Sequence, residues 1–444
     1  MQIRTTEGLV EGIKCNGYTV YKGIPYAAPP TGDLRWKAPQ PAKKYDGIYK
    51  ADHFGNICWQ TLPKADQPIM GRFVKEFYSC PEYIPGMSED CLFLNIWVPD
   101  KADGTNPVGL YIHGGGFGGG YSSEIEFDGE EYCRRGVILV TINYRVNIFG
   151  FLAHPELSKE SEWKGSGNYG ILDQIAALKW VYRNISAFGG DPQNITVFGQ
   201  SAGSMSTQVL VSSPLSERLI SKAVFQSGLA CEESFLACPT LQEEESYGEM
   251  FMELSGAKTI EELRALPAEE ILRLNGELSG KLWQTLGNGM VIVPCVDGYV
   301  LPESVKDCYA NGHMRQIPYM LGTVIDDLGS SPENIAADEP GLTHTENVRW
   351  SRKVREVYGG NAWNYFFKRK LPGDDWGAFH SAELWYTFGT LGRCWRPMEE
   401  HDYALSSQML DAWTSFMKTG DPNGGTCKGW RPYTDEDPYV REFE

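Results

Sequence analysis

Ser201 stands in the string Gly199-Gln200-Ser201-Ala202-Gly203, after the apolar run Ile195-Thr196-Val197-Phe198 and before Ser204-Met205-Ser206-Thr207-Gln208-Val209-Leu210. That order predicts strand, tight turn and helix. Glycines on both sides of a serine let the backbone fold sharply enough to hold the hydroxyl out at the tip of the turn, where a carbonyl carbon could reach it. A hydroxyl is a poor nucleophile at neutral pH, so this chemistry also needs a histidine to take its proton and a carboxylate to orient that histidine. Of seven histidines, His380 lies far downstream in a loop, Gly377-Ala378-Phe379-His380-Ser381-Ala382-Glu383, that enters an aromatic helical stretch, and it is the expected general base. The other six, His53, His113, His154, His313, His344 and His401, stand mostly in polar or turn-like contexts that suit hydrogen-bonded surface roles.

Acyl transfer also requires hydrogen-bond donors where the carbonyl oxygen becomes an oxyanion. His113-Gly114-Gly115-Gly116-Phe117 follows the apolar run Val108-Gly109-Leu110-Tyr111-Ile112, and consecutive glycines directly after a strand allow backbone N–H groups to converge on one point. Gly115 and Gly116 are the expected donors, with the N–H of Ala202 as a third. The chain order serine, acid, histidine is that of α/β-hydrolases, and it places the acid between 201 and 380. Ile317-Pro318-Tyr319-Met320-Leu321-Gly322-Thr323-Val324-Ile325 reads as a strand ending in Asp326-Asp327. Open α/β sheets gather their reacting groups at the carboxyl ends of strands, so both carboxylates are candidates.

The elements that must position these residues alternate along the chain. β-Branched runs such as Val137-Ile138-Leu139-Val140-Thr141-Ile142 alternate with helical stretches such as Ile175-Ala176-Ala177-Leu178-Lys179-Trp180-Val181, which predicts a mostly parallel sheet covered by helices. Length alone, 444 residues, would suggest about three domains. Reacting groups at 201, 327 and 380 instead require one sheet running through nearly the whole chain, so residues 1–444 are expected to form a single catalytic domain. Segments of about 230–290 and 330–375, rich in Glu, Leu and aromatics, interrupt the sheet pattern and are expected to form a helical lid or side subdomain.

Many ordered motifs carry a resemblance. Tyr21-Lys22-Gly23-Ile24-Pro25-Tyr26-Ala27-Ala28-Pro29-Pro30 and Gly32-Asp33-Leu34-Arg35-Trp36 stand near the N-terminus, and Ser88-Glu89-Asp90-Cys91-Leu92-Phe93-Leu94-Asn95-Ile96-Trp97-Val98-Pro99 follows. Later come Asn143-Tyr144-Arg145, Phe149-Gly150-Phe151-Leu152, Asn168-Tyr169-Gly170-Ile171-Leu172-Asp173-Gln174, Phe188-Gly189-Gly190-Asp191-Pro192 and Gln226-Ser227-Gly228. Thr419-Gly420-Asp421-Pro422-Asn423 and Trp430-Arg431-Pro432-Tyr433 match toward the end. In these segments the chain resembles the type-B carboxylesterase and cholinesterase family, and most nearly its bacterial, p-nitrobenzyl-esterase-like branch.

The resemblance implies an α/β-hydrolase fold and a serine carboxylesterase. It implies Ser201 as nucleophile, His380 as base, Asp327 in preference to Asp326 as orienting acid, and Gly115, Gly116 and Ala202 as the oxyanion hole. Three positions depart from the family pattern: Asp327-Leu328 replaces Glu followed by Gly, Gln200 replaces a frequent Glu, and Ser381 replaces a frequent Gly. None removes a reacting group. An aromatic-ester (feruloyl) esterase or a lactonase on the same scaffold is the enzymatic alternative. A catalytically inactive cholinesterase-like binding protein is the non-enzymatic one, against which the intact serine, histidine and glycine loop count. The resemblance also implies that Cys58 and Cys91 occupy the positions of a disulfide found in secreted members.

Aromatic residues make up 12% of the chain, and Phe117, Trp385 and Tyr386 beside the motifs are expected to line a substrate pocket. The net charge of −18 disfavours nucleic acid, whose phosphates would be repelled. No apolar run approaches the roughly 20 residues of a membrane-spanning helix. The chain opens Met1-Gln2-Ile3-Arg4-Thr5-Thr6-Glu7, without the pattern of a secretory signal, and eleven cysteines lack a C-x-x-C pair. The expectation is a cytoplasmic bacterial enzyme acting on small-molecule esters, with no metal or organic cofactor.

Overall fold

Parallel strands that feed helices on both faces must be apolar on both faces, and the central runs of this chain meet that demand. In the computed structural model, which describes residues 1–67, 70–232, 238–287, 290–337 and 341–444, twelve strands form one sheet. They are β1 (Gln2–Arg4), β2 (Leu9–Lys14), β3 (Tyr18–Pro25), β4 (Ile48–Ala51), β5 (Phe93–Pro99) and β6 (Asn106–Ile112). The rest are β7 (Ile138–Ile142), β8 (Gly190–Gln200), β9 (Lys222–Gln226), β10 (Tyr319–Val324), β11 (Ala362–Phe367) and β12 (Val440–Phe443). Their spatial order is β1-β2-β3-β5-β7-β6-β8-β9-β10-β11-β12, with β4 beside β2. Pairings from β7 through β12 are all parallel, whereas β1, β2, β3, β5 and β7 pair antiparallel in sequence.

Alternate residues of the central strands enter two separate cores. Val108, Leu110 and Ile112 of β6 with Ile195 and Val197 of β8 join one, and Tyr111 and Phe198 join the other. Helix Tyr169–Asn184 covers the first face with Ile171, Ile175, Leu178 and Val181. Helix Glu400–Thr419 covers the second with Leu405, Met409, Trp413 and Phe416. Each buried side chain of this size contributes about 1.5–3 kcal/mol on leaving water, which explains why both helices are held so firmly to the sheet.

The two expected insertions differ in kind. Residues 241–286 are helical, in helices Leu241–Ser255, Ile260–Arg264 and Ala268–Leu286. The first packs so tightly that a Cβ on Gly248 would stand 1.7 Å from the Ala153 carbonyl oxygen. The segment 330–375 does not interrupt the sheet: it contains β11, all six residues of which are buried, and helix Leu342–Tyr358 packs on β10 and β11. The charged helix beside it masked this short aromatic strand in the sequence.

One buried ion pair ties two sequence motifs together. Arg145 donates to Asp173 through Nε at 2.7 Å, Nη2 at 2.7 Å and its backbone N–H at 3.1 Å, with both side chains out of water. Burial pushes the Asp173 carboxyl up, and Arg145 opposes that shift. Removing one partner of such a pair strands the other charge in a dry interior. Arg145→Met is therefore expected to lower unfolding stability by roughly 3–5 kcal/mol, as read by urea denaturation.

Candidate active site

Ser201 and Asp327 follow the carboxyl ends of β8 and β10, the glycine loop follows β6, and His380 lies in the chain after β11. β8 ends at Gln200, and helix Ala202–Ser212 begins directly after Ser201. Ser201 alone absorbs the reversal, at φ 56° and ψ −126°, a conformation L-residues adopt only at a cost of about 1–3 kcal/mol. The flanking glycine at 203 is there for space: a Cβ on it would lie 2.0 Å from the Ile112 carbonyl oxygen of β6. The Ser201 N–H donates to the Gln226 carbonyl at 2.9 Å, which fixes the turn against β9.

The glycine loop after β6 lies beside this turn. A Cβ on Gly114 would stand 3.2 Å from the Ser201 Cβ. Gly115 and Gly116 adopt left-handed φ values of 106° and 61°, and the Gly115 carbonyl accepts from the N–H groups of Gly118 and Gly119. The loop is thus closed on itself next to the serine. Ala202 is the first residue of its helix, where backbone N–H groups have no intrahelical acceptor. His113 is buried and stacked on Tyr144 at 4.3 Å, and burial lowers it to about 4. Its role is packing in a neutral form.

Of the two adjacent carboxylates, Asp327 meets the histidine. Its Oδ1 lies 2.5 Å from His380 Nδ1 and accepts from the Leu328 N–H at 2.8 Å, while the Thr323 hydroxyl donates to Oδ2. Asp326 does something different. Its Oδ2 accepts from the Ala378 N–H at 2.7 Å, and its own N–H donates to the Ala378 carbonyl at 3.2 Å, so it clamps the loop that carries His380. The two carboxylates thus divide between two partners, as adjacent residues at a strand end point in opposite directions.

Gln200 places its Nε2 3.2 Å from His380 Nε2. Burial lowers the affinity of His380 for a proton, but Asp327 outweighs it, and the net shift is upward from the usual 6.5. With Nδ1–H donated to Asp327, Nε2 is the lone-pair nitrogen and accepts from Gln200, the residue before Ser201.

Expectations about pocket aromatics need correction. Phe117 is fully buried edge-on to Phe151 at 5.4 Å. Trp385 donates its indole N–H to Glu76 at 2.8 Å and stacks on Phe77, and the Tyr386 hydroxyl donates to Asp402 at 2.7 Å. All three are packed into the interior and present no surface to a substrate, because aromatic spacing alone does not distinguish a core from a pocket wall. A different residue borders the glycine loop: Met290 Sδ lies 4.0 Å from where a Cβ on Gly116 would stand. Sequence spacing carried no signal for that approach, which depends on where distant segments meet. Gln200 and Thr323 were likewise visible only as neighbours of motif residues.

Among the described residues no group of three or more His, Cys, Asp or Glu is arranged to hold a metal ion, and no described helix is long and apolar enough to cross a membrane. All eleven cysteines are free thiols. The Cys91 thiol is pushed up by its hydrogen bond to Cys58 and by burial.

A parallel sheet with a strained serine after one strand, a glycine loop after its neighbour and an Asp–His pair after two further elements defines an α/β-hydrolase. A family model described as the carboxylesterase family matches residues 1–358 and 341–444. The chain is 34% identical to fumonisin B1 esterase of Sphingopyxis macrogoltabida, over 96% of this chain and 83% of that protein. It is 32% identical to para-nitrobenzyl esterase of Bacillus subtilis, over 98% and 93%. A solved PNB esterase superposes with a TM-score of 0.84 at 29% identity, covering 100% of this chain and 95% of that one. A carboxylesterase of Geobacillus stearothermophilus superposes at 0.79 with 31% identity, covering 99% and 96%. The chain belongs to the carboxylesterase family, and it is a carboxylic ester hydrolase.

The histidine loop offers a sharp test of this geometry. Gly377 has φ 72°, and a Cβ there would stand 2.2 Å from Asp326 Oδ2, displacing the clamp. Gly377→Ala is expected to lower kcat for ester hydrolysis by roughly a hundredfold, the scale of a 1 Å misplacement of a reacting group. Stopped-flow rates on the purified variant measure it.

Proposed function

We propose that this chain hydrolyses small carboxylic esters through Ser201, His380 and Asp327, with the N–H groups of Gly115, Gly116 and Ala202 as the oxyanion hole. The observation that carries the reading is the 2.5 Å contact of Asp327 with His380 Nδ1, in a histidine whose other nitrogen meets Gln200, the residue before the strained Ser201. His380 Nε2 takes the hydroxyl proton as Ser201 Oγ attacks the ester carbonyl. The oxyanion is held by the three N–H groups, and the alcohol leaves with the proton from His380. Water, deprotonated by the same nitrogen, then releases the acid from the acyl-enzyme. Asp327 keeps the proton on Nδ1 and stabilises the imidazolium. Gln200, bonded to Nε2 at rest, must yield that lone pair as the serine proton arrives.

Residues 1–444 work as one catalytic domain in this reading, and the helices from 241 to 286 serve as its lid. Met290 beside Gly116 forms part of the wall that the acyl group meets. A cytoplasmic bacterial enzyme accords with the bacterial esterases the chain resembles. The activities in those relatives' names, on para-nitrobenzyl and fumonisin esters, mark the substrate classes to test first.

Ser201→Ala and His380→Ala are expected to abolish turnover of p-nitrophenyl esters from acetate to decanoate above the uncatalysed background. Asp327→Asn is expected to lower kcat by about 10³–10⁴, through loss of the correct tautomer, whereas Asp326→Asn, which still accepts from Ala378, is expected to stay within about threefold, as for a bond whose acceptor is retained. Full activity in the serine and histidine variants overturns the assignment. Because His380 works as a neutral base and its proton affinity is raised, kcat/KM should fall on the acid side with a midpoint above 6.5.

A further inference from the structure

Two successive peptide groups of the glycine loop donate to a single acceptor. The N–H groups of Gly118 and Gly119 reach the Gly115 carbonyl at 3.0 and 3.1 Å, which occupies both of its lone pairs. That carbonyl shares a planar peptide with the Gly116 N–H, and across a trans peptide the two groups point in opposite directions. Holding the carbonyl therefore aims the N–H. The two donating peptides carry carbonyls of their own, at Phe117 and Gly118, and one residue takes both. Asn147, the first residue of helix Asn147–Phe151, donates its backbone N–H to the Phe117 carbonyl at 2.6 Å and its Nδ2 to the Gly118 carbonyl at 3.3 Å. Its Nδ2 also donates to the Trp59 carbonyl at 2.8 Å, and its Oδ1 accepts from the Phe149 N–H at 3.2 Å, so the buried carboxamide is engaged at both ends. Asn147 stands at φ 48°, a left-handed value that asparagine tolerates better than most side chains. Phe117 is left-handed too, at 60°, a strain that persists only in backbone held from outside. Gln60 pins the far end of the loop separately, accepting from the Gly120 N–H at 2.7 Å and donating to the Gly120 carbonyl at 3.1 Å.

We propose that Asn147 is a positioning residue for ester hydrolysis, which aims and polarises the Gly116 N–H through two relays of one peptide each. The first runs from the Asn147 N–H through the peptide joining Phe117 to Gly118, the second from its carboxamide through the peptide joining Gly118 to Gly119. Both end on the Gly115 carbonyl. A peptide whose carbonyl accepts a hydrogen bond donates more strongly through its N–H, so bonds in such a chain reinforce one another. The demand on the Gly116 N–H is greatest when the ester oxygen becomes an oxyanion, and the effect of Asn147 therefore falls on the transition state more than on the bound ester. Asn147 acts through the loop and not on the substrate. The inference rests on the role proposed above for the Gly116 N–H.

Asn147→Gly keeps the left-handed backbone and its N–H and removes only the carboxamide relay. Asn147→Asp keeps the shape but turns an acceptor oxygen toward the carbonyls of Gly118 and Trp59. Stopped-flow acylation by p-nitrophenyl acetate separates the acylation rate constant from the dissociation constant of the ester. The rate constant is expected to fall about threefold to tenfold in Asn147→Gly, the scale of one neutral hydrogen bond, and further in Asn147→Asp, with the dissociation constant unchanged. An alkyl trifluoromethyl ketone supplies a second readout: Ser201 Oγ adds to its carbonyl carbon, the hydroxyl proton passes to His380, and the carbonyl oxygen becomes an oxyanion. Its affinity should fall by the same factors as acylation. A merely structural brace would lower the unfolding midpoint and leave acylation and ketone affinity as they are, and that result overturns the proposal. A weakened ester dissociation constant with an intact acylation rate constant overturns it as well. Failure of the site itself has a different signature, equal ketone affinity in the wild-type protein and in Ser201→Ala. Ketone affinity lost in Ser201→Ala beside a silent Asn147→Gly discards this inference alone.

Discussion

The approach of helix Ala202–Ser212 to the end of β6 constrains everything around it. With a glycine at 203 the helix comes within touching distance of the Ile112 carbonyl, and the chain between strand and helix has only Ser201 in which to reverse. The strain at that residue persists because β8 is hydrogen-bonded on both sides and the helix behind it is buried along almost its whole length. A backbone this tightly determined can hold an unfavourable dihedral where a looser one would relax. The same packing brings the glycine loop after β6 against the serine, since β6 and β8 are immediate neighbours.

Around that turn the interior is built from paired or neutralised charges. Arg145 and Asp173 cancel each other beneath the sheet end, and Asp326 spends its carboxylate on a backbone N–H instead of a cation. The Phe379 ring, flanked by Trp376 at 3.9 Å and by the Arg396 guanidinium, anchors the next turn of the same loop. His380 is therefore held from three directions, by an acid on one ring nitrogen, a carboxamide on the other and an aromatic stack behind. Such a site needs little reorganisation when charge develops, which is the main way a preorganised enzyme lowers a barrier.

The parallel half of the sheet was legible because its strands are buried on both faces and so read as apolar runs at Val108–Ile112, Val137–Ile142, Ile195–Phe198 and Ile317–Ile325. β11 was missed because Ala362–Phe367 includes Asn364, whose side chain is buried and hydrogen-bonded to Ser351 on the neighbouring helix. A polar residue satisfied by a partner thirteen positions away interrupts an otherwise aromatic run in the sequence. The aromatic residues failed for the opposite reason. Trp385 and Tyr386 are polar-tipped, and the partners that draw those tips inward, Glu76 and Asp402, are distant in the chain or lie on another helix.

By itself the sequence pointed to the candidate reacting groups and determined their supporting strands, because serine turn, glycine loop and histidine loop are local patterns whose character is set by neighbours in the chain. Tertiary structure alone decided which of Asp326 and Asp327 faces His380, that Gln200 rests on its second ring nitrogen and that Met290 borders the glycine loop. The reason is that direction, burial and electrostatic environment belong to the way distant segments meet, and a residue's type limits but does not specify what it will meet.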